Sequence, residues 1–420
     1  MPLSNLPSEL LLDISDYLDE AELNSLACTN GSLYNLLNTQ LYRRDMARPH
    51  SKSLAWASEN GVEGTVKRVV DANRCFNLIL ESFYIAIEAA AYLGHVRIVE
   101  LLSKVDGVNP NYSSSASAAP LLLAAQMGHS AIVELLLATA DIDPNVRAAV
   151  SHFTPLICAC VEGHVSIVRQ LLARDDVQVN AIGSGWTPLT AACDIGQVEI
   201  ISLLLAKDGI DVNLGIETTP LIIAVDRGLV EVVESLLARD DLDPNIVDHY
   251  GEHVLGYAAS RRHNRFVKSL LNRPDIDVNH QNALGRTALC QAAYHRSLEA
   301  AELLLEREDT DINLPDNHGW TPLHWACKLD CLELVNLLLE EDNIAVNARD
   351  NNGYTPLAIA CHLGSSIEIV HSLLSHDDTD PNAVDRNGVN VFDHFMDNPD
   401  LRKSWRSVKS IFSELEPYNN

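Results

Sequence analysis

At 420 residues the chain is longer than one compact core usually spans, so several domains or a repeat array are expected. Its formal net charge of -28 at pH 7 disfavours nucleic acids and anionic membrane surfaces as partners, and it favours solubility. No uninterrupted apolar run reaches the ~18 residues that cross a bilayer, and residues 1–12 lack the positive charge of a secretory signal. We therefore expect a soluble intracellular protein, cytoplasmic or nuclear, with reduced thiols.

The N-terminal segment is predicted to form three short helices. The first begins at Leu6-Pro7 and has one apolar face: Leu10, Ile14, Tyr17 and Leu18. Asp19 is the predicted N-cap of the second helix, with Glu22 as its capping-box partner. Three helices of this length make a small core, so the segment is expected to need a partner for its stability.

This segment resembles an F-box, because it has a Leu-Pro start, a Glu-Leu-Leu helix, a Leu-Asp break and later spaced leucines, from Leu3 to about Arg48. The resemblance implies docking onto the Skp-family linker of a cullin-RING ubiquitin ligase. By position, the docking face would consist of Leu6, Pro7, Leu10, Ile14, Leu18, Leu23 and Leu26. The alternative is that these leucines only cap the repeats that follow.

From Lys52 onward one unit recurs at steps of 32 to 35 residues. In the copy from Thr321 to Asn347, Thr-Pro begins a short helix, a turn follows at Asp330, and a second helix is predicted from Cys331 to Glu340. Ten copies share an alanine in register: Ala57, Ala90, Ala124, Ala159, Ala192, Ala224, Ala258, Ala292, Ala326 and Ala360. A position that stays this small predicts a close approach of two helices.

The unit resembles the ankyrin repeat from about Lys52 to Val384. The predicted fold is therefore all-α with short β-hairpin loops, an F-box-like three-helix segment followed by an ankyrin-repeat α-solenoid. The predicted boundaries are 1–48 for the F-box-like domain, 51–384 for about ten repeats, and 385–420 for a degenerate repeat with a capping helix.

Glycine is the predicted left-handed helix stop in seven copies: Gly61, Gly94, Gly128, Gly163, Gly196, Gly228 and Gly364. Arg262, Arg296 and Asp330 stand in its place in three consecutive copies. A left-handed conformation at these residues would cost about 1 kcal/mol or more each. We therefore expect residues 251–347 to be the least stable part of the array.

No residue pattern indicates catalysis, a metal site or a cofactor. Four cysteines occupy the position after the register alanine, where small buried residues are expected: Cys160, Cys193, Cys327 and Cys361. Histidines that follow the turn are expected to make a shared structural hydrogen bond: His95, His129, His164 and His263. Nucleotide-binding, zincin and nucleophile-elbow motifs are absent from the sequence.

Recognition of a protein partner is the function that the repeats imply. The resemblance assigns it to the hairpin tip before Thr-Pro and to the end of the first helix. The candidates there are Tyr92, Met127, Phe153, Trp186, Tyr294, Trp320, Leu329 and Tyr354, and Trp325, on the first helix of the copy that begins at Thr321, is added to them. Acidic loops between repeats are either solvated turns or a rim that steers a basic substrate. The sequence thus predicts a non-catalytic ubiquitin-ligase adaptor, or a plain ankyrin scaffold with an N-terminal cap.

Overall fold

The computed structural model describes residues 52–76, 80–112 and 118–403, together with 11, 14, 15, 17 and 18. Five predicted docking residues lie outside the described residues: Leu6, Pro7, Leu10, Leu23 and Leu26. Ile14 and Leu18 are half-buried, whereas Tyr17 is 90% exposed. Tyr17, which was predicted to share one apolar face with Ile14 and Leu18, is therefore much more exposed than these two residues.

The chain divides into two compact units, one ending at Ile210 and the other beginning at Asp211. The helices of the first unit are α1 (Lys52–Glu59), α2 (Glu63–Phe76), α3 (Leu80–Leu93), α4 (Val96–Ser103), α5 (Pro120–Met127), α6 (Ser130–Leu137), α7 (Pro155–Val161), α8 (Val165–Leu172), α9 (Pro188–Ile195) and α10 (Val198–Leu205). Those of the second are α11 (Pro220–Asp226), α12 (Val230–Leu237), α13 (Val254–Ser260), α14 (Asn264–Leu271), α15 (Ala288–Tyr294), α16 (Leu298–Leu305), α17 (Pro322–Lys328), α18 (Leu332–Leu339), α19 (Pro356–Leu363), α20 (Ile367–Leu374), α21 (Val391–Asp397) and α22 (Pro399–Lys403). Across these described stretches β-structure is limited to the isolated bridges Gly183–Trp186 and Val384–Asn390.

The first helices of successive repeats pack on one another, and so do the second helices. In the first unit α5 lies between α3 and α7, and in the second unit α17 lies between α15 and α19. All ten register alanines, from Ala57 to Ala360, have no exposed surface. The predicted close approach of the first helices is therefore confirmed.

Thr-Pro pairs begin the first helices as predicted. The Thr154 hydroxyl accepts the Ile157 N–H, and Pro155 occupies the first helical position, where no donor is needed. The repeat that contains α13 departs from this pattern, because His253 replaces the threonine. A ring nitrogen of His253 accepts the Gly256 N–H and so caps the helix in its place.

The turns between the two helices are left-handed in every predicted copy. The seven glycines have φ between 69° and 86°. Arg262, Arg296 and Asp330 adopt the same conformation, with φ of 59°, 55° and 54°. The left-handed conformation on which the predicted lower stability of residues 251–347 depends is therefore present at all three residues.

The acidic loops are linked from repeat to repeat by asparagines. Asn145 donates its side-chain N–H to the Asp176 carbonyl at 2.8 Å and accepts the Gln178 N–H at 2.7 Å. Its own N–H donates to the Asp143 carboxylate at 2.9 Å. Asn279 repeats these contacts in the second unit. The loops thus satisfy backbone groups, as the solvated-turn interpretation requires.

None of the helices in the described stretches is long and apolar enough to cross a membrane.

Candidate protein-interaction surface

A buried polar residue closes five hairpin tips of the second unit, whereas the tip before Thr219 has Leu214 at the same position. The five residues are Asp248, Asn282, Asp316, Asp350 and Asp385. In each, Oδ1 accepts two backbone N–H groups of its own turn; for Asp316 these are His318 N at 2.8 Å and Trp320 N at 3.0 Å. This fixes the backbone immediately before the helix that follows. The second oxygen of each carboxylate is left for a side chain.

Three of these carboxylates use that oxygen to hold an aromatic side chain. The Tyr257 hydroxyl donates to Asp248 Oδ2 at 2.5 Å, and the Trp325 indole N–H donates to Asp316 Oδ2 at 3.0 Å. Both donors stand nine residues after their acceptor. Burial, together with the Asp248 carboxylate, raises the pKa of Tyr257, so its hydroxyl remains a donor at neutral pH.

Asp350 receives its donor from the preceding repeat. Nine residues after it stands Ile359, which has no donor, and the Trp320 indole N–H donates to Asp350 Oδ2 at 3.0 Å instead. This bond holds the half-buried Trp320 against Trp325, with ring centroids 4.6 Å apart. A carboxylate of the next repeat thereby fixes the aromatic surface of this one.

Two cations lie on the faces of this aromatic cluster. The Arg286 guanidinium carbon is 4.2 Å from the Tyr294 ring centroid and 4.5 Å from that of Trp325. Lys328 Nζ is 4.5 Å from the Trp320 centroid and 4.9 Å from that of Trp325. All four distances are within the range of a cation–π interaction. We call these five residues, Arg286, Tyr294, Trp320, Trp325 and Lys328, the aromatic–cation cluster.

A buried carboxylate, Glu252, lies at the tip of the repeat that contains α13. It accepts side-chain N–H groups of Asn282 and Gln291, each at 2.6 Å. A Cβ at Gly256 would lie 1.9 Å from Glu252 Oε1. Position 256 of α13 is therefore glycine because the Glu252 carboxylate occupies the space that a side chain at this position would need.

Tyr354 belongs to a separate group at the end of the second unit. Its ring lies 5.4 Å from His362 and 5.2 Å from His394. His394 takes the register of the alanine, and its Nε2 is 3.3 Å from Asp385 Oδ2. Among the described residues, no cluster of His, Cys, Asp and Glu side chains is suited to hold a metal ion.

The nine predicted recognition residues fall into different surroundings. Tyr92, Met127 and Tyr294 are exposed, and Phe153, Trp186, Trp320, Leu329 and Tyr354 are half-buried. Trp325 was expected at the surface but is only 4% exposed, because its indole N–H is bonded to Asp316. It therefore supports the surface from beneath. The structure brings Tyr294, Trp320 and Trp325 together in one cluster.

Sequence reasoning missed Arg286 and Lys328. Arg286 stands directly before Thr287, in the tip position that Trp320 occupies one repeat later. A signal was thus present, but the candidates were selected for aromatic character alone. A guanidinium at the tip, next to Trp and Tyr positions in the adjoining helices, would have identified it.

The cysteine and histidine predictions are largely confirmed. The four register cysteines are fully buried, and burial raises the pKa of Cys193 to about 12. The rings of His95, His129 and His164 each bond a carbonyl of the preceding repeat, at 3.2, 2.9 and 3.0 Å. The His263 ring makes a different contact, because it packs edge-on against the Phe266 ring with the ring centroids 5.4 Å apart.

Two family models match the chain. A model described as ankyrin repeats (3 copies) matches residues 25–148, 86–182, 121–216, 173–248, 221–316, 255–350 and 308–385. A model described as F-box-like matches residues 3–46. The two matches overlap over residues 25–46.

Among solved structures, the chain is similar to the crystal structure of the ankyrin repeat domain of Bcl-3, described as a unique member of the IkappaB protein family. The identity is 27% and the TM-score is 0.46, over 50% of this chain and 94% of that one. No curated protein matches the chain.

Proposed function

The chain belongs to the ankyrin-repeat family and carries an F-box-like domain ahead of its repeats, and we propose that it recruits substrates to a cullin-RING ubiquitin ligase. The F-box-like domain would dock the Skp-family linker, and the repeats would bind the target protein. Both families are in general non-catalytic interaction modules, so the chain would supply binding rather than chemistry. The observation that carries the proposal is the succession of these two modules in one chain.

The proposed organisation keeps the boundaries 1–48, 51–384 and 385–420. Only a few residues, including Pro49, separate Arg48 from Leu54, so no long flexible linker would lie between the ligase-binding and target-binding parts. The target would therefore be held at a defined distance from the ligase. Cytoplasm and nucleus are the compartments proposed for this work.

The aromatic–cation cluster supports the second half of the proposal. Exposed aromatic side chains with fixed orientation are typical centres of protein recognition. Tyr294 is exposed, and Trp320 is half-buried with its indole N–H already satisfied, so contact with a partner would not break that bond. The remaining candidates, including Tyr92, Met127 and Leu329, are proposed as further contacts.

The target protein could present either a basic or an acidic surface to the repeats. Acidic loops would attract a basic target by long-range steering. The asparagines of these loops already bond neighbouring loops, however, so the loop geometry has a structural explanation of its own. A basic target is therefore the alternative to a target that binds through an acidic segment.

Co-expression with a Skp-family linker and its cullin tests the adaptor role. The intact chain should co-purify with both proteins, and a variant with Leu6→Ala and Pro7→Ala should lose both. A folded chain that does not bind the linker would support the other candidate, a plain ankyrin scaffold whose N-terminal helices only cap the array. Circular dichroism of the variant would separate lost docking from lost folding.

A further inference from the structure

Five cationic side chains of the second unit lie in or next to the aromatic–cation cluster. They are five of the nine Lys and Arg residues between residues 251 and 347: Arg261, Arg262, Arg286, Arg296 and Lys328. We call them the cationic patch. Residues 251–347 keep the acidic balance of the whole chain, with nine Lys and Arg against fifteen Asp and Glu, so the patch is defined by the contacts of these five side chains and not by net charge. Cations grouped in this way can select a partner by electrostatic complementarity.

Direct contacts join the patch to the aromatic–cation cluster. Arg262 Nη2 donates to the His295 carbonyl at 2.6 Å, and the His295 and Tyr294 rings lie 4.9 Å apart. Tyr294 in turn lies under the Arg286 guanidinium. Burial lowers the pKa of His295, and Arg286, Arg261 and Arg262 lower it further, which is the electrostatic sign of clustered guanidinium groups.

Most of these cations keep their charge unpaired. Arg261 forms an ion pair with Asp226 at 2.7 Å. Arg262 donates a hydrogen bond to the His295 carbonyl, and Arg296 donates one to the Asp330 carbonyl. Both acceptors are neutral groups. Within the described residues, no carboxylate forms an ion pair with Arg262, Arg296 or Lys328. The positive charge is therefore available to a partner.

Arg286 is the best prepared of these cations to bind an anion. Two aromatic rings fix its guanidinium plane, and its side chain is only 12% exposed. Among the described residues its buried Nε has no hydrogen-bond acceptor, and a partner carboxylate would therefore bind the Nη groups. The carboxylate oxygen beside it, Asp316 Oδ2, lies at 3.7 Å and already accepts the Trp325 indole N–H. Holding a guanidinium fork rigid in this way reduces the entropy lost when it binds a carboxylate through two hydrogen bonds.

We infer that the cationic patch and the aromatic–cation cluster bind an acidic segment of the target protein, with an aspartate or glutamate carboxylate on Arg286. Lys328 would attract a second carboxylate, and the exposed faces of Tyr294 and Trp320 would cover an apolar residue between them. Identification of this segment as part of a ubiquitination target rests on the proposed function. The binding chemistry itself depends only on the second unit.

Selection from a random-peptide display library on the full chain tests the inference. Selected peptides should be enriched in Asp and Glu. A synthetic peptide of the selected sequence should bind about tenfold more weakly to an Arg286→Met variant, as expected for one lost charge-assisted interaction. Arg286→Lys, which keeps the charge without the planar fork, should lie between the two. Arg265→Met is the matched control, because Arg265 lies on α14 and pairs with Glu234 outside the patch.

Charge reversal provides the decisive comparison. Arg286→Glu should abolish binding of the acidic peptide, and a peptide in which the critical Glu is replaced by Lys should recover it. Selection of basic peptides, a requirement for phosphoserine in place of Glu, or equal binding to the wild type and Arg286→Met would each overturn the inference. Skp-family linker binding by the same variants is measured separately. A variant that loses peptide binding but keeps linker binding has lost only the function of the cationic patch. A chain that binds the peptide but not the linker would contradict only the proposed adaptor role.

Discussion

Trp320 Nε1 donates a hydrogen bond to Asp350 Oδ2 at 3.0 Å, so an aromatic side chain of one repeat is held by a buried carboxylate of the next. Asp350→Asn would keep the acceptor for the backbone N–H groups but would turn an N–H donor toward the indole. We expect a loss of about 1–3 kcal/mol in the free energy of unfolding, the typical cost of leaving a buried polar group unsatisfied. Urea denaturation measures it.

A double-mutant cycle tests whether this cost belongs to the Trp320 contact. In a Trp320→Phe background no indole N–H opposes the new amide, so Asp350→Asn should cost less. Equal costs in both backgrounds would contradict the assigned contact. Asn282 shows that an amide is compatible with this register when an acceptor faces it, since it donates to Glu252.

Gly256→Ala should destabilise the chain although alanine is the better helix former. Propensity alone favours alanine by about 1 kcal/mol. The added Cβ would lie 1.9 Å from Glu252 Oε1, however, and overpacking costs about 1–3 kcal/mol. In a Glu252→Ala background the clash is gone, so the same substitution should become stabilising. Thermal unfolding gives the sign, and an unchanged sign in the two backgrounds would refute the steric explanation.

The left-handed arginines should reveal their strain through a pair of substitutions. Arg296→Gly and Arg296→Ala both remove the bond to the Asp330 carbonyl, but only glycine relieves the backbone strain. The glycine variant should therefore be more stable than the alanine variant by about 1 kcal/mol. Equal stability would indicate that φ of 55° costs nothing here.

Hydrogen exchange tests the wider prediction about residues 251–347. We expect faster exchange there than in the glycine-stopped repeats, because three turns carry left-handed strain. The bonds from Arg262 to the His295 carbonyl and from Arg296 to the Asp330 carbonyl oppose this effect. Protection equal to that of the neighbouring repeats would mean that these bonds fully offset the strain.

His324 should make the stability depend on pH. Its Nδ1 accepts the Thr321 N–H at 3.2 Å, its Nε2–H donates to the Tyr354 carbonyl at 3.2 Å, and burial lowers its pKa. As the pH falls below the ordinary value of about 6.5, the unfolded chain takes up the proton before the folded chain does. The stability of the folded chain should therefore be full well above that pH and should decline as the pH falls through it.

The chain supplies its own control for the histidine. Thr190 occupies the same position in α9, where its Oγ1 accepts the Thr187 N–H at 2.8 Å. A His324→Thr variant should keep this cap without a titrating group. Its unfolding free energy should fall less between pH 7 and pH 5, and an unchanged slope would assign the pH dependence to other groups.

The repeat architecture could be predicted because its signals are local and recur. Thr154-Pro155 starts a helix through contacts within one turn, and the register alanines need only be compared with one another. The link from Trp320 to Asp350 could not be predicted, because it depends on how far one repeat is displaced against the next. The partners of Arg286 could not be predicted for the same reason. In addition, a single cation at a tip position is ordinarily expected to be solvated.

Titration of the purified chain with a Skp-family linker, followed by calorimetry, tests the adaptor role most directly. The wild type and Arg286→Met should bind with equal affinity, whereas the variant with Leu6→Ala and Pro7→Ala should bind at least about tenfold more weakly while its repeats remain folded. Absence of linker binding by the wild type, or equal binding by the Leu6 and Pro7 variant, would contradict the adaptor role.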